Sequence, residues 1–224
     1  MSKKPLLRTL LIRFIPTVVI VGSLLFGFAG SLQYWNGWLL LIVLFVPATA
    51  ASVYLYKRNP SLLEKRMKFR EREKEQELYV KLSLLWFLVS IAVPGLDFRF
   101  GWSHVPVWLM SLSVTVMVAG YTFFMVSMAE NSFASRVIEL QADQHIIDTG
   151  LYSIVRHPMY AAAMMMFTAM PLVLGSYYGL IPTIPLPLLL GYRIHNEEKV
   201  LRDGLVGYAE YTRRVRFKLV PFIW

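Results

Sequence analysis

The amino-acid sequence predicts an all-α integral membrane protein with about six transmembrane helices. Hydrophobic residues make up 56% of the chain and charged residues 17%, whereas an ordinary soluble domain has roughly 25% charged residues. The charges are missing from several long stretches, and the basic residues are concentrated between them. The 14% of aromatic residues excludes a disordered protein, and the absence of cysteine excludes disulfides and thiolate metal sites.

Charge-free stretches define the first four helices. Residues 14–56 contain no Asp, Glu, Lys or Arg, which is enough for about two crossings of a ~30 Å hydrocarbon core. Glycine and aromatic residues at 30–37 divide this stretch at the depth of a membrane interface. Two further stretches, 82–96 and 100–129, lack these charges. The predicted helices one to four lie near residues 12–30, 36–56, 78–96 and 105–128.

A fourth charge-free stretch, residues 157–192, predicts two short helices, five and six, with a turn near Ser176-Tyr177. Proline and glycine interrupt it repeatedly, at Pro171, Gly175, Gly179, Pro182, Pro185 and Pro187. Proline is tolerated at membrane depth where neighbouring groups or a cavity satisfy the freed carbonyls.

The distribution of basic residues predicts the orientation. Six crossings place both termini on one side, and positive charge should then fall on alternate loops at the cytoplasmic face. The N-terminus, the 57–78 segment, the 129–157 loop and the tail from residue 193 carry nearly all Lys and Arg. The net charge of +9 is therefore explained by membrane topology, and we expect no nucleic-acid partner. We expect both termini to be cytoplasmic, in a bacterial inner membrane or an endoplasmic reticulum type membrane, without a cleaved signal peptide.

The chain divides into two predicted regions. Residues 1–100 are expected to hold helices one to three and a charged cytoplasmic segment at 57–78, in which Asn59 caps a helix that begins at Pro60. Residues 101–224 are expected to hold helices four to six and a tail, and to form a cofactor site at the cytoplasmic face.

The segment 148–160 contains the first residues that could carry chemistry. Thr149-Gly150 breaks the chain, and His157-Pro158 breaks it again where helix five begins. Free N–H groups at such a helix start can hold an anion such as a carboxylate. Tyr152 and Tyr160 offer aromatic faces suited to an adenine or a cation. Ordinary interfacial anchoring by these side chains is the alternative.

Arg193 and Glu197 form a second group. They are four residues apart and share one face of a helix. Ionisable residues at membrane depth cost about 2.5–3.5 kcal/mol, so they usually pair or bind a ligand. The arginine could hold an anionic substrate and the glutamate a cofactor, or the two could form only an internal salt bridge. The four histidines lack a metal-ligand spacing, so we expect no metal.

Taken in order, these motifs resemble the isoprenylcysteine carboxyl methyltransferase family, which is related to membrane phospholipid methyltransferases. The resemblance covers roughly residues 110–224. It is carried by a G-x-Y-x-x-x-R-H-P-x-Y run at 150–160, an R-x-x-x-E-E-x-x-L run at 193–201 and an E-Y…R-V…P-F-I ending at 210–223.

The resemblance implies S-adenosylmethionine as methyl donor and a lipophilic or lipidated substrate in the bilayer. It implies that Arg193 and Glu197 are catalytic, with Arg193 holding the substrate. Glu139 matches a further cofactor contact of the family, whereas Asp148 replaces a small or hydroxyl residue that is common there. The implied cofactor-binding residues are Gln144, His145, Ile146, Ile147, Tyr152, His157, Pro158, Met159, Tyr160 and Glu197.

The acceptor could be a carboxylate or an amine. Methyl transfer from a sulfonium is an in-line displacement, which needs alignment more than acid or base groups. A carboxylate is ionised at neutral pH, and Arg193 could orient it by a bidentate contact. An amine would need a base, for which Glu198 or His195 is the candidate.

Two other classes compete with a methyltransferase. Sterol and steroid reductases have a similar R-H-P-x-Y segment and use NADPH, but they usually have Asn before the tyrosine, where this chain has Met159. A non-enzymatic membrane protein of the same fold is the other alternative, and the intact Arg193, Glu197 and His157 argue against it.

Overall fold

A computed structural model describes residues 3–67, 74–134, 138, 140–141 and 143–224. The described chain is helical and contains no β-strand, which confirms the all-α prediction. The predicted contact residue Glu139 lies outside the described residues. The α-helices of the described part are α1 Lys3–Ala29, α2 Trp35–Arg58, α3 Pro60–Arg66, α4 Lys74–Phe100, α5 Val107–Glu130, α6 Pro158–Val173, α7 Leu186–Gly204 and α8 Tyr208–Arg214.

Four of these helices, α1, α2, α4 and α5, are long and apolar enough to cross a membrane. They correspond to the predicted helices one to four. The predicted helices five and six exist as α6 and α7, joined by a turn that contains Ser176 and by a 3₁₀ turn at Tyr178–Thr183. The 16 residues of α6 extend about 24 Å, and the second half of α7 is charged. The count of six crossings therefore stays a prediction.

The short helix α3 begins as the sequence predicts. Asn59 precedes it and accepts a hydrogen bond from the Leu62 backbone N–H through its side-chain oxygen at 3.1 Å, and Pro60 is the first helical residue. Such a cap satisfies one of the N–H groups that a helix start leaves without a partner. Leu62 and Leu63 are buried, so α3 packs against the bundle.

The main core lies where α1, α2, α4, α5 and α6 meet. Leu25, Leu40, Ile91, Met117 and Met170 are all at most 1% exposed there. The helices α5 and α6 approach especially closely, because a Cβ atom at glycine 120 of α5 would lie only 3.2 Å from a backbone oxygen of α6. This close packing fixes the position of the α6 start, which carries the R-H-P motif.

A buried carboxylate joins three segments at one end of the bundle. Asp97, in the last turn of α4, is 1% exposed. Its Oδ1 accepts a hydrogen bond from the Ser103 backbone N–H at 2.7 Å, and its Oδ2 accepts one from the Ser103 hydroxyl at 2.6 Å. The Ser176 hydroxyl also donates to Oδ2. Asp97 therefore links the end of α4 to the α4–α5 loop and to the turn after α6.

The opposite end of the bundle gathers the basic segments. Leu6 of α1, Leu55 of α2, Leu62 of α3 and Met128 of α5 form one buried cluster there. Arg66 of α3 donates a hydrogen bond to the Ala134 carbonyl at 3.3 Å. The basic start of α1, the 57–66 region and the end of α5 thus share one end, as the alternation of charge in the sequence predicts.

Replacement of Asp97 by Ala should destabilise the fold. The Ser103 and Ser176 donors would lose a buried acceptor, and each buried group left without a partner costs about 1–3 kcal/mol. We expect a clear decrease in the thermal unfolding midpoint of detergent-purified protein, and a smaller one for Ser103→Ala, which removes one hydroxyl only. An Asp97→Ala variant as stable as the unaltered chain would contradict this role.

Candidate functional site

A cavity opens at the end of the bundle where α3 packs, between the end of α5, the start of α6, the second half of α7 and α8. We call it the polar cavity. Pro158 does not line it and is instead the buried first residue of α6. The other predicted site residues line the polar cavity: Gln144, His145, Ile146, Ile147, Tyr152, His157, Met159, Tyr160, Arg193 and Glu197.

A tight turn at Gly150 places Tyr152 in the polar cavity. Gly150 has a φ of +55°, and a Cβ atom there would overlap the Glu130 carboxylate at the end of α5. The same carboxylate accepts a hydrogen bond from the Leu151 backbone N–H at 2.9 Å. Only glycine suits a positive φ in such close contact, which explains the glycine two residues before the tyrosine.

The R-H-P motif is held by the tail. The backbone N–H groups of Arg156 and His157 donate hydrogen bonds to the carbonyls of Phe217 and Lys218 at 3.0 and 2.9 Å. The Arg156 guanidinium donates to the carbonyl of Val215 at 2.8 Å. The chain after α8 therefore runs beside the start of α6 and fixes the direction in which His157 faces.

Glu198 connects this motif to α7. Its Oε1 accepts a hydrogen bond from Arg156 Nε at 2.7 Å and lies 3.2 Å from His157 Nε2, and all three residues are buried. Burial alone would raise the pKa of the Glu198 carboxyl, but hydrogen bonds from His157 and Arg156 and their charges lower it to about 2. Glu198 is therefore a structural anion at neutral pH.

The neighbouring Glu197 points into the polar cavity instead. Its Oε2 accepts a hydrogen bond from the Tyr160 hydroxyl at 2.6 Å. Arg193, which is 5% exposed, is also a hydrogen-bonding partner of that hydroxyl, and its guanidinium lies 5.0 Å from the Tyr79 ring centre. Tyr160 thus joins a carboxylate and a guanidinium from one face of α7.

The loop before the R-H-P motif forms one wall of the polar cavity. Gln144 accepts a hydrogen bond from the Gln141 backbone N–H at 3.0 Å, and the His145 ring meets the Phe133 ring edge at 4.9 Å between centres. Asp148 lies outside the cavity lining and forms a 2.6 Å ion pair with Arg214 at the end of α8. The departure from the family pattern at Asp148 therefore attaches this loop to α8.

Two tyrosines of α8, neither of them among the predicted site residues, also line the polar cavity. Tyr208 and Tyr211 are buried, and the Tyr211 hydroxyl donates to the Tyr152 carbonyl at 2.8 Å. Burial raises the pKa of all three tyrosines, to about 12 for Tyr152. The i,i+3 tyrosine spacing after Gly207 is a signal that could have been used.

The apolar ending at 220–224 lies away from the lining of the polar cavity. None of its residues lines that cavity. A Cβ atom at Gly191 would lie 3.4 Å from the Trp224 ring, so Trp224 packs against the outside of α7.

A second cavity, which we call the apolar cavity, adjoins the first between α4, α5, α6 and α7. Its volume is about 380 Å³. Its charged side chains are Arg66 and Arg193, its aromatic hydroxyls belong to Tyr79 and Tyr160, and no acidic side chain lines it within the described residues. The remaining wall is mainly apolar, with Val80, Leu84, Trp86, Phe87, Phe124, Ala163, Phe167, Leu186, Leu189 and Leu190. Met159, Tyr160 and Arg193 line both cavities.

The two candidate bases for an amine acceptor lie outside both cavities. His195 is exposed and lies with Glu198 in a shallow groove on the other side of α7. Glu198 is already engaged by Arg156 and His157, and its lowered pKa makes it a poor proton acceptor. Neither of these two candidate bases therefore lies where an acceptor would bind.

The low pKa of Glu198 predicts a specific loss of stability in acid. The unfolded carboxyl has a pKa of 4.5 and the folded one of about 2, so its stabilising contribution is complete above pH 4.5 and is lost as the pH falls toward 2. Glu198→Gln should lower the unfolding midpoint at pH 7 and flatten its dependence on pH between about 5 and 2. Thermal unfolding in detergent measures both quantities.

The control for this experiment is Glu210→Gln, which removes an exposed carboxylate of α8 and should keep the pH profile of the unaltered chain. A Glu198→Gln variant with that same profile would show that the carboxylate contributes no stability.

A comparison with known protein families agrees with a site in this part of the chain. Residues 110–203 match the model of the isoprenylcysteine carboxyl methyltransferase (ICMT) family. No curated protein matches the chain. The matched residues extend from α5 into the last turn of α7 and include all the predicted site residues, whereas α8 and the chain after it lie beyond them. The region 110–203, which holds the predicted site residues, is therefore similar to the ICMT family, whose members are membrane methyltransferases.

Proposed function

We propose that the protein is an S-adenosylmethionine-dependent integral membrane methyltransferase that acts on a carboxylate of a lipophilic or lipidated substrate. The observation that carries this proposal is the junction of the two cavities at Met159, Tyr160 and Arg193. A water-soluble cofactor and an apolar acceptor need separate binding spaces that meet at the reacting atoms. The polar cavity suits the cofactor, and the apolar cavity suits the acceptor.

The polar cavity has the chemistry that S-adenosylmethionine needs. Glu197 supplies an anion for a cationic group, and Tyr152, Tyr208 and Tyr211 supply aromatic faces. The apolar side chains beside them suit an adenine ring: Ile146, Ile147, Val200, Leu201 and Leu205. When bound, this cofactor supplies an electrophilic methyl group on a sulfonium.

Arg193 is the proposed acceptor-binding residue. It lines the apolar cavity as well as the polar one, and its guanidinium can hold a carboxylate by two parallel hydrogen bonds. Tyr79 and Tyr160 hold the guanidinium in place from α4 and α6. Fixing the acceptor in this way converts the transfer into an effectively unimolecular step, which is the main requirement of an in-line displacement.

The apolar wall supports a lipophilic rather than a water-soluble acceptor. Its aliphatic and aromatic side chains would gain roughly 25 cal/mol per Å² by contact with a hydrocarbon chain. The fold places these residues between helices that include α4 and α5, two of the candidate membrane spans. A bilayer substrate could therefore reach Arg193 without passing through water.

Glu197→Gln should weaken cofactor binding. The variant keeps the side-chain volume but loses the negative charge, and a hydrogen bond to a charged group contributes about 1.5–3 kcal/mol, which corresponds to about 10- to 100-fold in the dissociation constant. Calorimetry on detergent-purified protein with S-adenosylmethionine, and separately with NADPH, measures this.

Glu210→Gln on the neighbouring helix is the control and should bind the cofactor as the unaltered chain does. Binding of NADPH but not of S-adenosylmethionine would indicate a reductase and contradict the proposal. A loss of thermal stability in Glu197→Gln with unchanged cofactor affinity would indicate a purely structural salt bridge.

Arg193→Ala should mainly reduce turnover. Loss of the group that aligns the acceptor is expected to decrease kcat about 100-fold, while the affinity for S-adenosylmethionine changes little. Transfer of a radiolabelled methyl group to a prenylcysteine in proteoliposomes measures kcat, and Lys199→Ala, an exposed residue of the same helix, serves as control. Equal turnover in both variants would exclude Arg193 from the site.

A further inference from the structure

We propose that the tail segment, residues 213–224, is an interfacial anchor that binds the surface of a bilayer containing anionic phospholipid. This segment comprises the last two residues of α8 and the chain after it, and it lies outside both cavities. The proposal concerns a contact separate from the candidate site and holds whether or not the protein transfers methyl groups.

The path of the tail segment returns it toward the apolar half of α7. Lys218 Nζ lies 3.8 Å from Glu198 Oε2, while the Trp224 ring reaches the surface of α7 beside Gly191. These two contacts on α7 are seven residues apart, which is about 10 Å along a helix axis. The tail segment therefore rises along α7 to the level of Arg193, at the boundary of the polar and apolar cavities.

The end of the tail segment presents large apolar side chains outward from an ordered turn. The Trp224 carbonyl accepts hydrogen bonds from the backbone N–H groups of Lys218 and Leu219, both at 2.9 Å. From this turn Phe222 is 90% exposed and Ile223 80% exposed. Side chains of this size rarely project together into water, and adjacent exposed groups of this kind mark a membrane or protein contact.

The charges of the tail segment favour a membrane surface as its binding partner. Arg213 and Arg216 are exposed, and the Lys218 ammonium lies 4.8 Å from the Trp224 ring centre. Basic residues next to aromatic and aliphatic ones are the combination that binds an anionic lipid surface, with the rings at headgroup depth and the cations near phosphates. A second copy of this chain would bring the same positive charges together, which is unfavourable.

The absence of cysteine from the chain permits a direct test. Ile223→Cys carries a fluorophore in the full-length protein, reconstituted as one molecule per nanodisc of phosphatidylcholine with or without phosphatidylglycerol. Val206→Cys is the matched control, because Val206 is 95% exposed in the connection between α7 and α8. Spin-labelled lipid reports membrane contact, and aqueous iodide reports exposure to water.

In discs with phosphatidylglycerol, we expect lipid to quench the label at residue 223 more strongly than the label at 206, and iodide to do the reverse. The double variant Arg213→Gln/Arg216→Gln should weaken this contact about fivefold for each arginine removed. Iodide quenching at 223 equal to that at 206 would overturn the proposal. So would lipid quenching that is independent of phosphatidylglycerol, or shielding from both quenchers, which would indicate a protein contact instead.

Discussion

The site depends on the ion pairs of the Glu198 carboxylate, because they join three separate parts of the chain. The carboxylate lies on α7, accepts from Arg156 and His157 at the start of α6, and lies near Lys218 of the tail. A buried ion pair contributes little net stability compared with apolar packing, but loss of one partner is costly because the other charge stays buried. Glu198 therefore serves mainly to fix geometry. It holds α6, α7 and the tail in the one arrangement that forms the polar cavity.

The adjacent glutamates of α7 have separate roles because successive residues of a helix point about 100° apart. Glu197 faces the polar cavity and accepts from Tyr160, whereas Glu198 faces the tail. One carboxylate is thereby left available for a ligand while the other is neutralised by protein cations. Arg193, one turn earlier than Glu197, shares its face and reaches the apolar cavity too. A single helix face thus spans the boundary between the polar and the apolar cavity.

The parts of this fold that depend on local sequence patterns could be predicted from the sequence. The charge-free stretches predicted α1, α2, α4 and α5, and the Asn59 cap predicted the start of α3. The site residues implied by the family resemblance line the polar cavity, with the exception of Pro158 and of Glu139, which lies outside the described residues. The structural role of Glu198 depends on contacts with distant segments of the chain. No periodicity encodes such contacts, so the sequence alone could not separate a site residue from a packing residue there.

The same contacts imply that the tail and the candidate site are energetically coupled. Arg156 donates to the Val215 and Arg216 carbonyls while it also holds Glu198. Withdrawal of the tail would remove two of these acceptors from a buried guanidinium and two more from the backbone N–H groups of Arg156 and His157. Since each buried donor without a partner is costly, the start of α6 cannot keep its position once the tail leaves. An interaction that holds the tail at the bilayer surface would therefore favour the conformation in which His157 and Tyr160 line the polar cavity.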